Sequence, residues 1–192
     1  MRDRLNEAVA SLNKDRDVLI AIDGKCASGK TTLAERLALK YKANLFHMDD
    51  FFLRPFQRSE ERLKVPGENI DHERFLKEVL KPLKDKKDII YKAYDCHTQS
   101  FKKSIIIKYR SLNIIEGSYC LHPSLFDHYD LKVYIDIDKE EQLKRIKIRN
   151  KDDFQTFTNK WIPLEERYFK YYDIQKRCDI VLDQSDLKDL SF

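Results

Sequence analysis

Short apolar runs alternate along this chain with stretches in which apolar residues recur every three or four positions. Val18-Leu19-Ile20-Ala21-Ile22 is continuous and β-branched, the pattern of a strand buried on both faces. Ala43–Met48, Leu112–Gly117, Leu131–Asp138 and Cys178–Leu182 read as further strands. Between them, helical spacing links Leu5, Ala8, Val9 and Leu12 within residues 2–13, then Leu33, Ala34, Leu37, Ala38 and Tyr41, then Phe75, Leu76, Val79, Leu80 and Leu83. Lys139–Asn150 is a strongly basic helix carrying Leu143, Ile146 and Ile148. A last long helix starts at Trp161-Ile162-Pro163. Pro163 suits a first turn, Glu165 and Glu166 complement the dipole, and Leu164, Tyr168, Tyr171 and Tyr172 form the apolar stripe. The alternation predicts one domain over residues 1–192, of class α/β: a three-layer α/β/α fold with a mostly parallel central sheet.

Two stretches interrupt that rhythm. Leu53–Glu68 holds Pro55, Pro66, Gly67 and much charge without a period, and reads as a long loop, a kind usually functional or mobile. Asp88–Asp95 and Lys103–Lys108 read as the strands of a hairpin around the polar turn His97-Thr98-Gln99-Ser100. From Asp183 onward the chain reads as a short polar tail.

Composition narrows the partners. Lys+Arg 37 against Asp+Glu 33 leaves a net charge of +4 spread along the chain, so nucleic acid is not indicated. No apolar run has membrane-spanning length, and Met1-Arg2-Asp3-Arg4 leads into no signal-peptide core. The expectation is a cytoplasmic protein with no membrane partner. Cys26, Cys96, Cys120 and Cys178 lie far apart without C-x-x-C spacing, which suggests neither a zinc site nor a disulfide framework. Cys26 reads as a small space-filler, with an oxidisable thiol as the alternative.

The strongest chemical signal is Gly24-Lys25-Cys26-Ala27-Ser28-Gly29-Lys30-Thr31, which fits G-x-x-x-x-G-K-[ST], the phosphate-cradling P-loop. Chance produces such a match in roughly one chain of this length in a hundred, and here the octet stands between a strand and a helix as the motif requires. Two glycines let successive backbone N–H groups approach phosphate oxygens, and the helix that follows adds its unpaired N–H groups and dipole. Lys30 would reach the β- and γ-phosphates, and the Thr31 hydroxyl can ligate magnesium.

Acidic and basic residues elsewhere carry two readings each. Asp49-Asp50-Phe51-Phe52 follows a strand end, where carboxylates of open α/β sheets face ligands, yet it also reads as a solvated acidic turn. Glu116 ends another strand and supports magnesium or caps the next loop. Asp71 reads as a helix N-cap. Arg145 and Arg149 lie one turn apart and project either toward a phosphate or into solvent. Tyr119 and His122 line a pocket or pack.

Taken with the P-loop, His47-Met48-Asp49-Asp50-Phe51-Phe52 resembles the uridine kinase and nicotinamide riboside kinase group of P-loop kinases, and the likeness covers about residues 15–183. The resemblance implies that Asp49 is the catalytic aspartate, near the acceptor hydroxyl and the magnesium sphere, with Asp50 as the neighbour that varies. Asn69-Ile70-Asp71-His72 is similar to the family's N-F-D-H, which implies that Asp71 binds the acceptor's sugar. Tyr94-Asp95 match the start of Y-D-F-x-x-H, but Cys96 replaces Phe and Gln99 stands at the base-contacting His, with His97 two places earlier. Glu116-Gly117 match the family's E-G pair. Residues 139–160 resemble the Arg-rich lid, with 150–160 its mobile part, and about 50–110 the acceptor-side insertion.

The implied activity is transfer of the γ-phosphoryl of ATP, or another NTP, with Mg2+, to a hydroxyl of a small nucleoside-like acceptor. Gly24, Ala27, Ser28, Gly29, Lys30, Thr31 and Thr32 would bind the nucleotide. Asp49, Lys30, Arg145 and Arg149 would act on the transfer, Thr31, Glu116 and Asp49 would hold the metal, and Asp71, Tyr94 and Gln99 would contact the acceptor. A homo-oligomer is compatible with this chain. A nucleotide-dependent switch or NTP hydrolase acting with a protein partner, and a noncatalytic binder, also fit the octet alone.

Overall fold

Nine strands order the chain in the computed structural model, which describes residues 4–12 and 16–190. They are β1 Val18–Gly24, β2 Asn44–His47, β3 Ile89–Tyr91, β4 Tyr94–Asp95, β5 Ser100–Phe101, β6 Ile105–Ile107, β7 Leu112–Glu116, β8 Leu131–Ile135 and β9 Ile180–Leu182. Five of them form one parallel sheet in the order β2-β7-β1-β8-β9. The continuous apolar runs are these strands, because a parallel sheet is covered on both faces.

Alternation along β1 assigns those faces. Val18, Ile20 and Ile22 pack with Leu5 and Val9 of helix Arg4–Leu12 and with Leu33, Ala34 and Leu37 of helix Lys30–Tyr41. Residues 2, 3 and 13 of the expected first helix lie outside the described residues. Ala21, Phe46, Ile115 and Tyr134 turn to the opposite side, where Phe75, Val79, Leu80, Leu83, Tyr168 and Phe169 cover them. The result is the three-layer α/β/α arrangement.

Several elements depart from the sequence-based expectations. The supposed loop 53–68 contains a 3₁₀ turn, Pro55–Gln57, and a short helix, Glu60–Lys64, whose cap Ser59 accepts the Arg62 N–H at 3.2 Å. The hairpin forms with Ile89 opposite Ile107 and Tyr94 opposite Phe101, but as two short ladders rather than one. The polar tail is helical over Gln184–Asp189, capped by Asp183, whose Oδ1 accepts the Ser185 and Asp186 N–H groups. The last long helix begins at Phe154, not at Trp161: Phe154–Thr156, Phe157–Trp161 and Ile162–Tyr171 run on as one rod. Phe157–Trp161 is a π turn directly before Pro163, and Leu76–Leu80 is another directly before Pro82 in the helical run 72–84. Proline lacks an N–H and crowds the carbonyl four residues back, and the wider π turn relieves both constraints without ending the helix. Glu165 is therefore an interior residue, and Tyr171, expected on the apolar stripe, is 68% exposed while Phe169 is buried in its place.

Two features at the carboxyl ends of the strands fix the P-loop. A Cβ on Gly24 would sit 2.2 Å from the Ile135 carbonyl oxygen, and φ there is +143°, so only glycine lets β1 lie this close to β8. Beside it Asp23 is fully buried. Its Oδ1 accepts the N–H groups of Gly24 at 2.8 Å and Tyr119 at 3.2 Å. Oδ2 accepts the Leu121 N–H at 3.0 Å and the Tyr168 hydroxyl at 3.1 Å. Burial pushes its pKa up to about 6, against the pull of these donors and of Lys30.

Every partner of Asp23 is a donor, so an amide cannot replace the carboxylate: its NH2 would face two of them. Asp23→Asn is expected to cost roughly 2–3 kcal/mol, the order of leaving buried donors unpaired, seen as a lower midpoint in urea unfolding with an unchanged slope. An unaltered midpoint would remove this carboxylate from its organising role.

Candidate functional site

The parallel register sets the site. β2 and β7 place His47 directly opposite Glu116, and β1 and β7 place Ile22 opposite Glu116, so the acid stands at the carboxyl edge beside the loop that leaves β1. That edge is where open α/β sheets bind ligands. Glu116 is buried; its Oε1 lies 2.6 Å from His47 Nδ1 and its Oε2 accepts the Thr31 hydroxyl at 3.2 Å. The hydrogen bond to Glu116 raises the His47 pKa above its ordinary value.

The P-loop is built and clamped from outside. Ala27 (φ 60°) and Gly29 (φ 102°) take left-handed backbone, and helix Lys30–Tyr41 starts at Lys30 with no side-chain cap, so its first N–H groups are free for an anion. Lys30 Nζ, largely buried, donates to the carbonyls of Gly24 at 2.7 Å and Lys25 at 2.9 Å. Four side chains remote in sequence hold the loop. Glu165 accepts the Cys26 N–H at 2.8 Å, Gln142 donates to the Cys26 carbonyl at 3.1 Å, Arg145 to the Ala27 carbonyl at 3.2 Å, and Gln184 to the Ser28 carbonyl at 3.0 Å. Cys26 is buried against Ile146 and Ile162 as a space-filler, and burial pushes its thiol up to about 12.

A cleft of about 1220 Å³ opens over this loop. Pockets for a single drug-sized ligand measure roughly 300–1,000 Å³, so this cleft lies above that range. Ala27, Gly29, Lys30, Thr31, Thr32, Asp49, Glu116, Arg145 and Arg149 all line it. The far wall is largely apolar, with Phe52, Leu53, Leu63, Val65, Trp161 and Leu164. Asp49, in the 3₁₀ turn Met48–Phe51, opens into the cleft, and the enclosing walls raise its carboxyl pKa; Lys30 opposes that rise, and Glu116 and Glu165 reinforce it. Asp50 turns away and accepts the Tyr91 hydroxyl at 2.7 Å.

The remaining predicted residues lie elsewhere. Gly24 and Ser28 sit beneath the cleft. Asp71 is buried as the N-cap of the helical run 72–84, accepting the Arg74 N–H at 3.1 Å, and its Oδ2 takes Gln57 at 2.9 Å and Arg54 at 3.4 Å. Tyr94 is buried edge-on against Phe101, and Gln99 is exposed in the hairpin turn, whereas Cys96 and His97 line the cleft. Of Tyr119 and His122, Tyr119 lines it and His122 does not. Ile148, counted with the apolar face of its helix, is 77% exposed at the cleft rim. Glu165 and Asp23 were not legible as site builders. A buried role for Asp23, sitting in an apolar run before a glycine, was the one signal available.

What the arrangement can do chemically follows from its donors. Thr31, Glu116 and Asp49 offer hard oxygens to one side of the anion cradle, a set that suits Mg2+. Lys30, Arg145 and Arg149 supply cations to the same cleft.

Comparison with known proteins places this geometry. A family model described as phosphoribulokinase/uridine kinase matches residues 19–183. A candidate uridine kinase from Bacillus stearothermophilus superposes with a TM-score of 0.72 at 22% identity, covering 94% of this chain and 96% of that one. A candidate fructose transport system kinase from Silicibacter sp. TM1040 gives 0.73 at 22% identity, with 95% and 98% covered. No curated protein sequence matches significantly. No described helix is long and apolar enough to cross a membrane. With its P-loop, strand-end acids and nearly full-length match, the chain belongs to the phosphoribulokinase/uridine kinase family of P-loop kinases.

Proposed function

We propose that this protein transfers the γ-phosphoryl group of ATP, or another NTP, to a hydroxyl of a small nucleoside-like acceptor. The observation that carries the reading is the single cleft that holds Lys30, Thr31, Glu116, Asp49, Arg145 and Arg149 beside a largely apolar wall. The loop amides and Lys30 hold the phosphates, and Thr31 and Glu116 would hold magnesium, which supplies charge neutralisation across the β- and γ-phosphates. Asp49 orients the acceptor hydroxyl and takes its proton as the new O–P bond forms and the bridge to the β-phosphate breaks. Arg145 and Arg149 neutralise charge spreading over the transferred group. Phe52 and Trp161, with ring centroids 6.0 Å apart, give the acceptor wall flat surfaces suited to a base. Asp71 and Tyr94 support this wall from behind, and residues 139–160 act as the lid.

The names carried by the structural relatives divide between a nucleoside and a sugar acceptor, and both present alcohols. The assay that tests the proposal is ATP consumption with nucleosides, ribosides, hexoses and pantothenate. Turnover that depends on one of these supports it. Hydrolysis indifferent to all of them favours the alternative, a nucleotide switch or hydrolase acting with a protein partner.

Asp49→Asn is expected to lower kcat by roughly 10²–10⁴-fold, the range for removing a general base. The raised pKa adds a second expectation. An acid whose folded pKa exceeds its unfolded one binds more protons when folded, so its ionised form costs stability at neutral pH. Thermal unfolding of Asp49→Asn at pH 7 should therefore show an equal or higher midpoint despite the lost activity. The acid limb of kcat/KM should lie above the ordinary carboxylate range, with rate lost as pH falls through it. Arg149→Ala should reduce kcat by about 10²-fold or more with a smaller change in the KM for ATP; an unchanged kcat would remove Arg149 from the transfer step.

A further inference from the structure

Behind the acceptor wall, side chains from three segments converge. Glu68 follows the short helix Glu60–Lys64, His72 opens the helical run after Asp71, and His122 stands in the loop leaving β7. Their ligating atoms all lie within 4.8 Å of one another. His72 Nε2 is 3.0 Å from Glu68 Oε1, and His122 Nε2 is 3.4 Å from the same oxygen. A tetrahedral ion with bonds of ~2.0–2.1 Å spaces its ligand atoms roughly 3.3–3.4 Å apart, and both histidine nitrogens stand near that distance from Glu68 Oε1.

Two further observations point to a ligand. His122 is 4% exposed, and its Nε2 is buried without a hydrogen-bond partner, turned toward Glu68. Ser124 Oγ lies 2.8 Å from His122 Nδ1 and 2.9 Å from His72 Nδ1. A hydroxyl oxygen can accept from both Nδ1–H groups, which leaves both Nε2 lone pairs on the side of Glu68. Such outer contacts fix the tautomer of metal-bound histidines. In the other tautomer His122 Nδ1 takes the Ser124 N–H at 3.3 Å, so an ion would select between the two. The rings are stacked, with centroids 4.1 Å apart and 13° between their planes, so binding one ion through both Nε2 atoms turns the rings out of this stack. Arg62 holds Glu68 Oε2 at 3.0 Å, an oxygen that His72 Nε2 also reaches at 3.1 Å, and both histidines reach Oε1; Glu73, 3.7 Å from His72 Nε2, or water takes a fourth position.

We infer that Glu68, His72 and His122 bind a divalent transition ion of the zinc type, which ties the acceptor-side segment 60–68 to the 117–122 loop. Two imidazoles and one carboxylate suit zinc and its neighbours, not magnesium, so this site is chemically distinct from the oxygen-lined phosphate side. Leu63, Val65, Pro66 and Gly67 line the cleft, so the ion would stiffen the wall that meets the acceptor.

Cobalt(II) tests this directly. Titration of metal-free protein in excess Mg2+ should give one bound equivalent with intense ligand-field bands, displaced by Zn2+, and Zn2+ should raise the thermal midpoint. Glu68→Gln and His72→Gln, both at partly exposed positions, should each weaken cobalt binding at least tenfold with an unchanged circular dichroism spectrum. Absence of the bands in the unaltered chain overturns the site without recourse to a variant. So does their persistence in both variants, or a sulfur charge-transfer band that assigns the ion to a cysteine.

Discussion

A carboxylate surrounded only by donors holds this molecule's working edge together. Asp23 stands next to last in the central strand, and its two oxygens take the first N–H of the P-loop, two N–H groups of the loop after β7, and a hydroxyl from the last long helix. These segments are far apart in sequence, and Glu165 joins the same three through Cys26 and Ser118. Burying a charge is costly; the four donors offset part of that cost, and burial still holds the Asp23 pKa up at about 6. The same bonds make the group a coordinate for the site: the loop that cradles phosphate, the loop that follows Glu116 and the helix that carries Glu165 are each measured from it.

The site is further defined by the balance of its charges. Asp49, Glu116 and Glu165 share the cleft with Lys30, Arg145 and Arg149, among the other charged side chains that line it. Glu165 is committed to Cys26 and Ser118, at 2.8 and 2.7 Å, and Glu116 to Thr31 and His47. Asp49 alone of the three faces the open cleft without such a commitment. Its enclosed surroundings raise its pKa above the ordinary carboxylate value.

Local pattern reaches some of this and not the rest. The buried strands, the P-loop and the acids at strand ends were legible, because each depends on residues adjacent in sequence. Asp71 was legible as a cap for the same reason. Pattern alone starts the last long helix at Trp161 because Pro163 suits a first turn, and nothing local announces a π turn. That start carries Glu165 with it: a first-turn glutamate belongs to solvent, whereas an interior one belongs to whatever its face meets. The bonds that Gln142 and Gln184 make to the P-loop join residues more than a hundred positions apart, and no periodicity encodes them. Tyr94 and Gln99 show the same limit, since hairpin register, not motif order, decides which side chain meets the cleft.

The π turn at Phe157–Trp161 has a consequence for the phase of the molecule. In an α-helix each residue advances about 100° around the axis, and a π turn is one residue out of step with that rhythm. Were the same residues wound as regular α-helix with none lost, everything after them would turn by about that angle relative to what precedes them. Glu165 would leave the Cys26 amide, and Tyr168 would leave Asp23. The turn thus acts as a vernier between the helical segment before it and the P-loop, setting by a single residue which face of the helix is presented to the loop.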